Sequence, residues 1–318
     1  MNILVTGASG FVGLNVLERL LASGHRVTAV SSDDIPSMAR TEFARLPGRL
    51  EAVRADVRDD EALERLIKNA EAVLAGAAIT SGAARERETP AAILEVNLVA
   101  VLKLVALAAR QGVKRVVALS SSAAIGERIF GERPVTEDDA PAPVSFYAIG
   151  KAGLEAAARR WQELAAQPEF IVARVAAVFG PWERDTGVRD ALSPLHALAS
   201  AAVRQSGVAP LPEGGHRDWV YAPYLAAALE WMLTAPRLGH RLYNVGAGTT
   251  WHPRELAATL AVPEKHGAPP IAFNDDLARR RTHLDMRRLG AEFQPPPAPK
   301  SAVASYAQWI SGHTEWFQ

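Results

Sequence analysis

ILVTGASGFVG, Ile3 to Gly13, places Gly7, Gly10 and Gly13 between an apolar run and a helical pattern. Such a turn can serve two ends. It can be a tight strand-to-helix link that tolerates only small residues. It can also cradle phosphate, because the first N–H groups of a helix lack intrahelical partners and the helix dipole favours an anion. Three glycines alone do not choose between these. Their spacing is GxxGxxG, a departure from the more familiar GxGxxG.

Working outward, strands and helices alternate. Ile3–Thr6 reads as a buried strand. From Phe11 to Ser23, Val12, Val16 and Leu20, with Leu17 and Leu21, recur at helical spacing. Gly24 stands where a helix commonly ends in left-handed backbone. Arg26–Val30, Ala72–Leu74, Arg115–Leu119 and Phe170–Val175 read as further strands. Asp59–Lys68, Ala91–Gln111 and Tyr147–Leu164 read as helices between them. Repeated β-α-β order with apolar strands predicts an α/β fold whose parallel sheet is covered on both faces. Beyond Val178 prolines become frequent, and RLYNVG (Arg241–Gly246) predicts a return to the sheet. Pro253–Leu260 and Ser301–Ile310 read as helices of a smaller α-rich unit. FQPPPAPK (Phe293–Lys300) reads as a stiff surface connector.

Bulk properties narrow the function. The 318 residues suffice for one large domain or two modest ones. Lys+Arg and Asp+Glu both total 35, so charge gives no reason to expect nucleic acid or an anionic membrane as partner. There is no cysteine, which excludes disulfides, thiolate catalysis and cysteine-bound zinc, and a reducing cytoplasm fits. The N-terminus lacks a basic region before its apolar run, so no signal peptide is expected. No uninterrupted apolar run reaches membrane-spanning length, so no transmembrane helix is expected. No metal site is assigned.

Three further segments carry chemistry. At the end of strand two, Ser31 and Ser32 precede Asp33 and Asp34. Asp33 is either a contact for a ribose hydroxyl or a solvated turn residue; as a contact it favours NAD, because a carboxylate repels the extra phosphate of NADP. YAIGK puts Tyr147 and Lys151 on one helix face. A phenol has a reference pKa of about 10, and a neighbouring ammonium lowers it, making a proton-exchanging pair. VVALSSSAAIG (Val116–Gly126) ends a strand in Ser120, Ser121 and Ser122, at the edge where open α/β sheets bind ligands. Those serines either meet a substrate oxygen or cap a loop.

TGASGFVG, LSSSA and YAIGK occur in that order, with Asp56-Val57 after a strand-like stretch and Asn97 in the long helix. Together they resemble the extended short-chain dehydrogenase/reductase superfamily, in its NAD-dependent epimerase/dehydratase branch, over nearly the whole chain. The resemblance implies a Rossmann-type doubly wound sheet with a smaller α-rich C-terminal substrate domain. It implies a dinucleotide-binding domain over residues 1–177, completed by about 218–248, and a substrate domain from 178–217 and 249–318. It implies that Tyr147 exchanges the hydroxyl proton, Ser122 orients and polarises that oxygen, and Lys151 holds the nicotinamide ribose. Gly7, Gly10, Phe11, Val12 and Gly13 match the pyrophosphate turn; Asp56 and Val57 the adenine contacts; Gly76, Ala77 and Ala78 the loop after strand four; Asn97 a helix residue near the cofactor. The acidic residue that closes strand two in the family aligns with Ser31, which leaves NAD against NADP open. Homodimerisation through the helices at Ala91–Gln111 and Tyr147–Leu164 is also implied.

The substrate is less legible. Family members that remove water carry an Asp-Glu pair where this chain has Ala123 and Ala124, so dehydration is not expected. Ala177 stands where sugar-nucleotide members place an asparagine. HRDWVY (His216–Tyr221) resembles the family's RDxVYVxD, which makes Arg217 a phosphate contact or a partner of Asp218; Tyr224 replaces the closing aspartate and His216 reads as a loop residue. Thr80, Ser121, Ser122 and Arg217 are the substrate candidates. The expected activity is NAD(P)-dependent hydride transfer at a secondary alcohol or ketone of a small sugar or sugar-acid substrate, with release of reduced cofactor. The alternatives are a nucleotide-sugar epimerase that retains NAD, and a non-catalytic NAD(P)-sensing regulator.

Overall fold

The structure is a computed structural model that describes residues 1–187, 192–211, 215–265 and 281–318. Strands β1 (Asn2–Thr6), β2 (Arg26–Ser31), β3 (Arg49–Arg54), β4 (Ala72–Ala75), β5 (Arg115–Ser121), β6 (Glu169–Val175) and β9 (Leu242–Val245) form one parallel sheet in the order β3-β2-β1-β4-β5-β6-β9. A separate two-stranded ribbon pairs β7 (Ala177–Phe179) with β8 (Trp219–Tyr221). The central strands are buried on both faces, which is why they read as unbroken apolar runs. Chain order reverses between β1 and β4, and that switch point is where ligands sit in such sheets.

The helices before β5 are α1 (Phe11–Ala22), α2 (Ser37–Phe43), α3 (Asp60–Ile67), α4 (Ala83–Glu88), α5 (Pro90–Leu94) and α6 (Ala100–Arg110). α3 begins where Asp59 accepts from Ala62 N–H, an N-cap that satisfies one orphan donor. The long helix read at Ala91–Gln111 is not one regular α-helix: a π turn at Glu95–Val99 separates α5 from α6. By length and composition alone the stretch Pro90–Arg110 would suffice to span a bilayer, and half of its most apolar window is buried in this fold. Val101, Leu104 and Val105 pack there with Val73 and Val116 of the sheet.

α7 (Phe146–Leu164) covers the same face, and α9 (Ala222–Thr234) packs with α1 on the other. A third apolar cluster unites β7, β8, α8 (Pro194–Val203), α10 (Arg254–Thr259) and α12 (Pro299–Gly312) around Phe179, Trp251 and Tyr306. α11 (Arg287–Gly290) sits near β9. The proline run is less of a free connector than its sequence implies. Phe293 packs on the core, Gln294 O accepts from the Tyr224 hydroxyl at 3.0 Å, and α12 already starts at Pro299.

Candidate active site

The loops after the C-terminal ends of β1, β2, β4 and β5 open into one cleft of about 950 Å³. Its floor is the glycine turn. Gly7 has φ +69°, and a Cβ there would lie 2.6 Å from Ala77 N, so both conformation and space demand glycine. A Cβ on Gly13 would lie 2.2 Å from Gly7 O. Gly10 caps α1 and, having no side chain, puts no cap of its own over the helix start. Phe11 and Val12 line the cleft beside it.

At the β2 end, the Ser31 hydroxyl donates to Asp33 O at 2.8 Å, and that of Ser32 to Asp33 Oδ2 at 3.1 Å. Both bonds hold the turn at Asp33, and Ser31 and Asp33 line the cleft. Asp56 and Val57 line the neighbouring wall. Arg58, unnoticed in the sequence, grips Asp56 with Nη2 2.6 Å from Oδ2 and holds that carboxyl below its ordinary range. After β4, Gly76 N and Ala77 N donate to the Thr6 hydroxyl, and Ala78 follows along the wall.

Asn97 alone among the expected cofactor residues stays out of the cleft. It is fully buried in the π turn, and its Nδ2 donates to Ile79 O at 2.8 Å and Ile93 O at 2.9 Å. It therefore props the loop after β4 from behind.

Ser122, Tyr147 and Lys151 all line the cleft. Ser121 closes β5 by accepting from Ala123 N at 3.2 Å, which turns the chain into the 3-10 segment Ser122–Ile129. Ser145 caps α7 by accepting from Ala148 N at 3.1 Å, so Tyr147 lies in the first turn. Lys151, one turn on, puts Nζ 5.5 Å from the Tyr147 ring centre. Burial pulls its ammonium down to about 7. Beneath it Glu155 accepts from Ser120 Oγ at 2.7 Å and from Arg174 Nε and Nη2 at 2.9 and 2.7 Å. This buried pair ties α7 to β5 and β6.

Arg217, which also lines the cleft, lies 5.5 Å from the Trp219 ring centre, and Arg281, likewise lining it, 4.7 Å from that of Phe130. Burial pushes the two guanidinium groups down to about 9 and about 10, and the charge of Arg281 adds to the effect at Arg217. Arg281 escaped the sequence reading; its signal is the cluster RRRTHL that ends at Leu284. Asp218 accepts from Leu284 N and Ala247 N, and burial raises its carboxyl to about 7. Among the described residues, Thr80 Oγ1 and Trp219 Nε1 are buried without a hydrogen-bond partner, and both residues line the cleft. Ala123 and Ala177 line it too, while Ala124 is fully buried. His216 is exposed, its ring 4.9 Å from that of His252.

Residues 3–246 match the family model described as NAD dependent epimerase/dehydratase family. The chain belongs to this family. It is 29% identical to the UDP-glucose 4-epimerase of Mycolicibacterium smegmatis, over 99% of this chain and 100% of that protein. It is 25% identical to the probable UDP-glucuronate 4-epimerase of Rhizobium meliloti, over 97% and 96%. Among solved structures, MoeE5 in complex with UDP-glucuronic acid and NAD superposes with a TM-score of 0.75 at 25% identity, covering 98% of this chain and 99% of that one. The UDP-glucose 4-epimerase of Thermotoga maritima shares the fold, with a TM-score of 0.78 at 22% identity over 98% and 99%. Membership in the epimerase/dehydratase family agrees with the sheet order and with the glycine turn at its switch point.

Proposed function

We propose that the protein is an NAD-dependent enzyme that oxidises a ring secondary alcohol of a nucleoside diphosphate sugar and returns the hydride in the same site, as an epimerase. The observation that carries this is the pair Arg217 and Arg281 in the cleft that also holds Ser122, Tyr147 and Lys151. Two desolvated guanidinium groups suit a diphosphate, which offers each a charged acceptor. A free sugar offers neither. This moves the balance from the sugar or sugar-acid dehydrogenase, the first expectation, toward the nucleotide-sugar reading. The family relatives named as sugar-nucleotide epimerases support the same direction.

The residues fit NAD. Gly7 and Gly13 leave a cradle that a Cβ would fill, Gly10 sets no side chain between the start of α1 and a pyrophosphate, and Asp33 fronts the adenosine end. Asp33 favours NAD over NADP by repelling a 2′-phosphate. When bound, NAD supplies the hydride acceptor. Tyr147 takes the proton of the sugar hydroxyl and gives it back. Ser122 donates a hydrogen bond to that oxygen. The Lys151 ammonium favours the ionised phenol and holds the ribose. Thr80, Ser121 and the Trp219 indole are donors for the sugar. Ala123 and Ala124 offer no second acid or base, so elimination of water does not follow. Asn97 acts at one remove, by shaping the loop after β4.

We divide the chain as read from sequence; the third apolar cluster is the core of the substrate domain, to which β8 adds Trp219 from the dinucleotide-binding part. The protein acts as a homodimer: Val99, Leu102, Phe146 and Ile149 leave apolar side chains exposed along the paired helices. A cysteine-free, NAD-using enzyme fits the cytoplasm, with no nucleic acid or membrane partner.

Incubation with NAD and a nucleoside diphosphate hexose tests the reading. An epimerase converts the sugar without accumulating reduced nicotinamide. Stoichiometric reduced nicotinamide would restore the dehydrogenase. Absence of any turnover, with NAD bound, would favour a sensor.

A further inference from the structure

The segment Gly180–Gly187, which follows β7, is tied down along its length. At its middle Trp316 Nε1 donates to Glu183 O at 2.9 Å, while Ser193 N and Oγ donate to the Glu183 carboxylate at 2.7 and 2.5 Å. Asn15 Nδ2 donates to Pro181 O at 2.8 Å, and Trp182 Nε1 donates to Glu18 Oε2 at 2.8 Å, fixing its first half to α1. Arg184 Nη2 donates to Ser9 O, inside the glycine turn, at 3.1 Å. Arg85 Nη2, from α4, donates to Gly187 O at 2.8 Å. Ser9 follows β1 and Arg85 follows β4, and these strands are neighbours. The segment therefore bridges the loop after β1 and helix α4, beside the strand ends where a pyrophosphate would rest. Arg184 and Thr186 line the cleft. Arg184 Nε is buried and has no partner among the described residues, and the carboxylate of Asp33 acts on its charge.

We propose that this segment is a cofactor strap: Arg184 contacts the pyrophosphate of bound NAD, and the links from Arg184 and Arg85 must open before the cofactor can leave. The proposal rests on the reading that the glycine turn seats NAD, and deepens it. An enzyme that returns its hydride to the same substrate must keep the reduced cofactor seated until the hydride has gone back. A strap anchored at Ser9 and at Arg85 supplies that retention, and a guanidinium donating to phosphate is among the stronger single contacts available. Nothing in the segment's sequence, PWERDTG, announces this role; it follows from the contacts with Ser9 and Arg85.

The test loads the protein with isotopically labelled NAD and measures its release into excess unlabelled NAD. Arg184→Gln is expected to release at least about tenfold faster, which is about 1.4 kcal/mol. Arg184→Lys, which keeps the charge but loses the fork, should fall between. Arg85→Ala, which cuts the other anchor without touching the cofactor, should accelerate release about threefold or more, a change of well under 1.4 kcal/mol. Thermal melting checks that each variant is folded. Release at the wild-type rate in both folded Arg184→Gln and folded Arg85→Ala overturns the strap. If Arg184→Gln does not fold, Arg85→Ala alone decides, and an unchanged rate there overturns it. Wild-type protein that takes up no NAD would instead sink the cofactor reading, and the strap with it.

Discussion

Lys151→Met is expected to stabilise the cofactor-free protein while removing its activity. Lys151 is 2% exposed, and burial pulls its ammonium from 10.5 to about 7. In the unfolded chain the group regains its ordinary value. Between those two values the unfolded state binds more protons than the folded one, so stability rises with pH across that window. At about 1.4 kcal/mol per pKa unit, the buried ammonium costs about 3–5 kcal/mol near pH 7 and about 2 kcal/mol near pH 9. Methionine keeps the unbranched stem and has no charge to bury. With about 2 °C per kcal/mol for a chain of this size, the thermal midpoint should rise by about 6–10 °C near pH 7. The gain should shrink as pH approaches about 10. Thermal melts of both proteins, stripped of cofactor and compared across that range, provide the assay. A variant that melts at or below the wild type near neutrality, or a gain that does not shrink with pH, would refute the reasoning.

Tyr147→Phe keeps the ring and loses the proton carrier, so turnover should fall by about a hundred- to ten-thousand-fold, read in steady-state kinetics. Arg281→Ala should raise KM for a nucleoside diphosphate sugar by about ten- to a hundredfold with kcat little changed, the worth of one charge-assisted contact; an unchanged KM would remove the diphosphate from the site. Gly13→Ala drives a methyl to 2.2 Å from Gly7 O, and calorimetry should find NAD binding weakened by at least about tenfold, with stability lower by about 1–3 kcal/mol. Glu155→Gln leaves the Arg174 guanidinium, fully buried, without its counter-charge; urea unfolding should record a loss of about 3–5 kcal/mol.

The dinucleotide half of the fold was legible because its signals are local. β1, α1 and Gly24 each follow from spacing within a few residues, and Gly24 does adopt φ +78°. β9 returns to pair with β6, as RLYNVG indicated. α9 was missed, since its all-round apolar surface has no helical stripe to read; ten of its thirteen residues are buried. β7 and β8 were missed because three-residue strands carry no period. The glycines, Ser122, Tyr147 and Lys151 could be named from motif and order. Asn97 was named as well, yet its amide faces the loop after β4 and not the cleft.

What the sequence determined by itself is therefore the chemistry that one short segment can hold: an anion cradle, a phenol with an ammonium one helical turn away, and the β-α alternation that brings them to one sheet edge. The tertiary structure alone decided which distant charges join them. Arg184, Arg217 and Arg281 lie far from the glycine turn along the chain, yet all line the same cleft. Segments separated by scores of residues meet only when the apolar faces of the sheet, helices and ribbon are buried together, and no local pattern encodes where that burial sets a guanidinium.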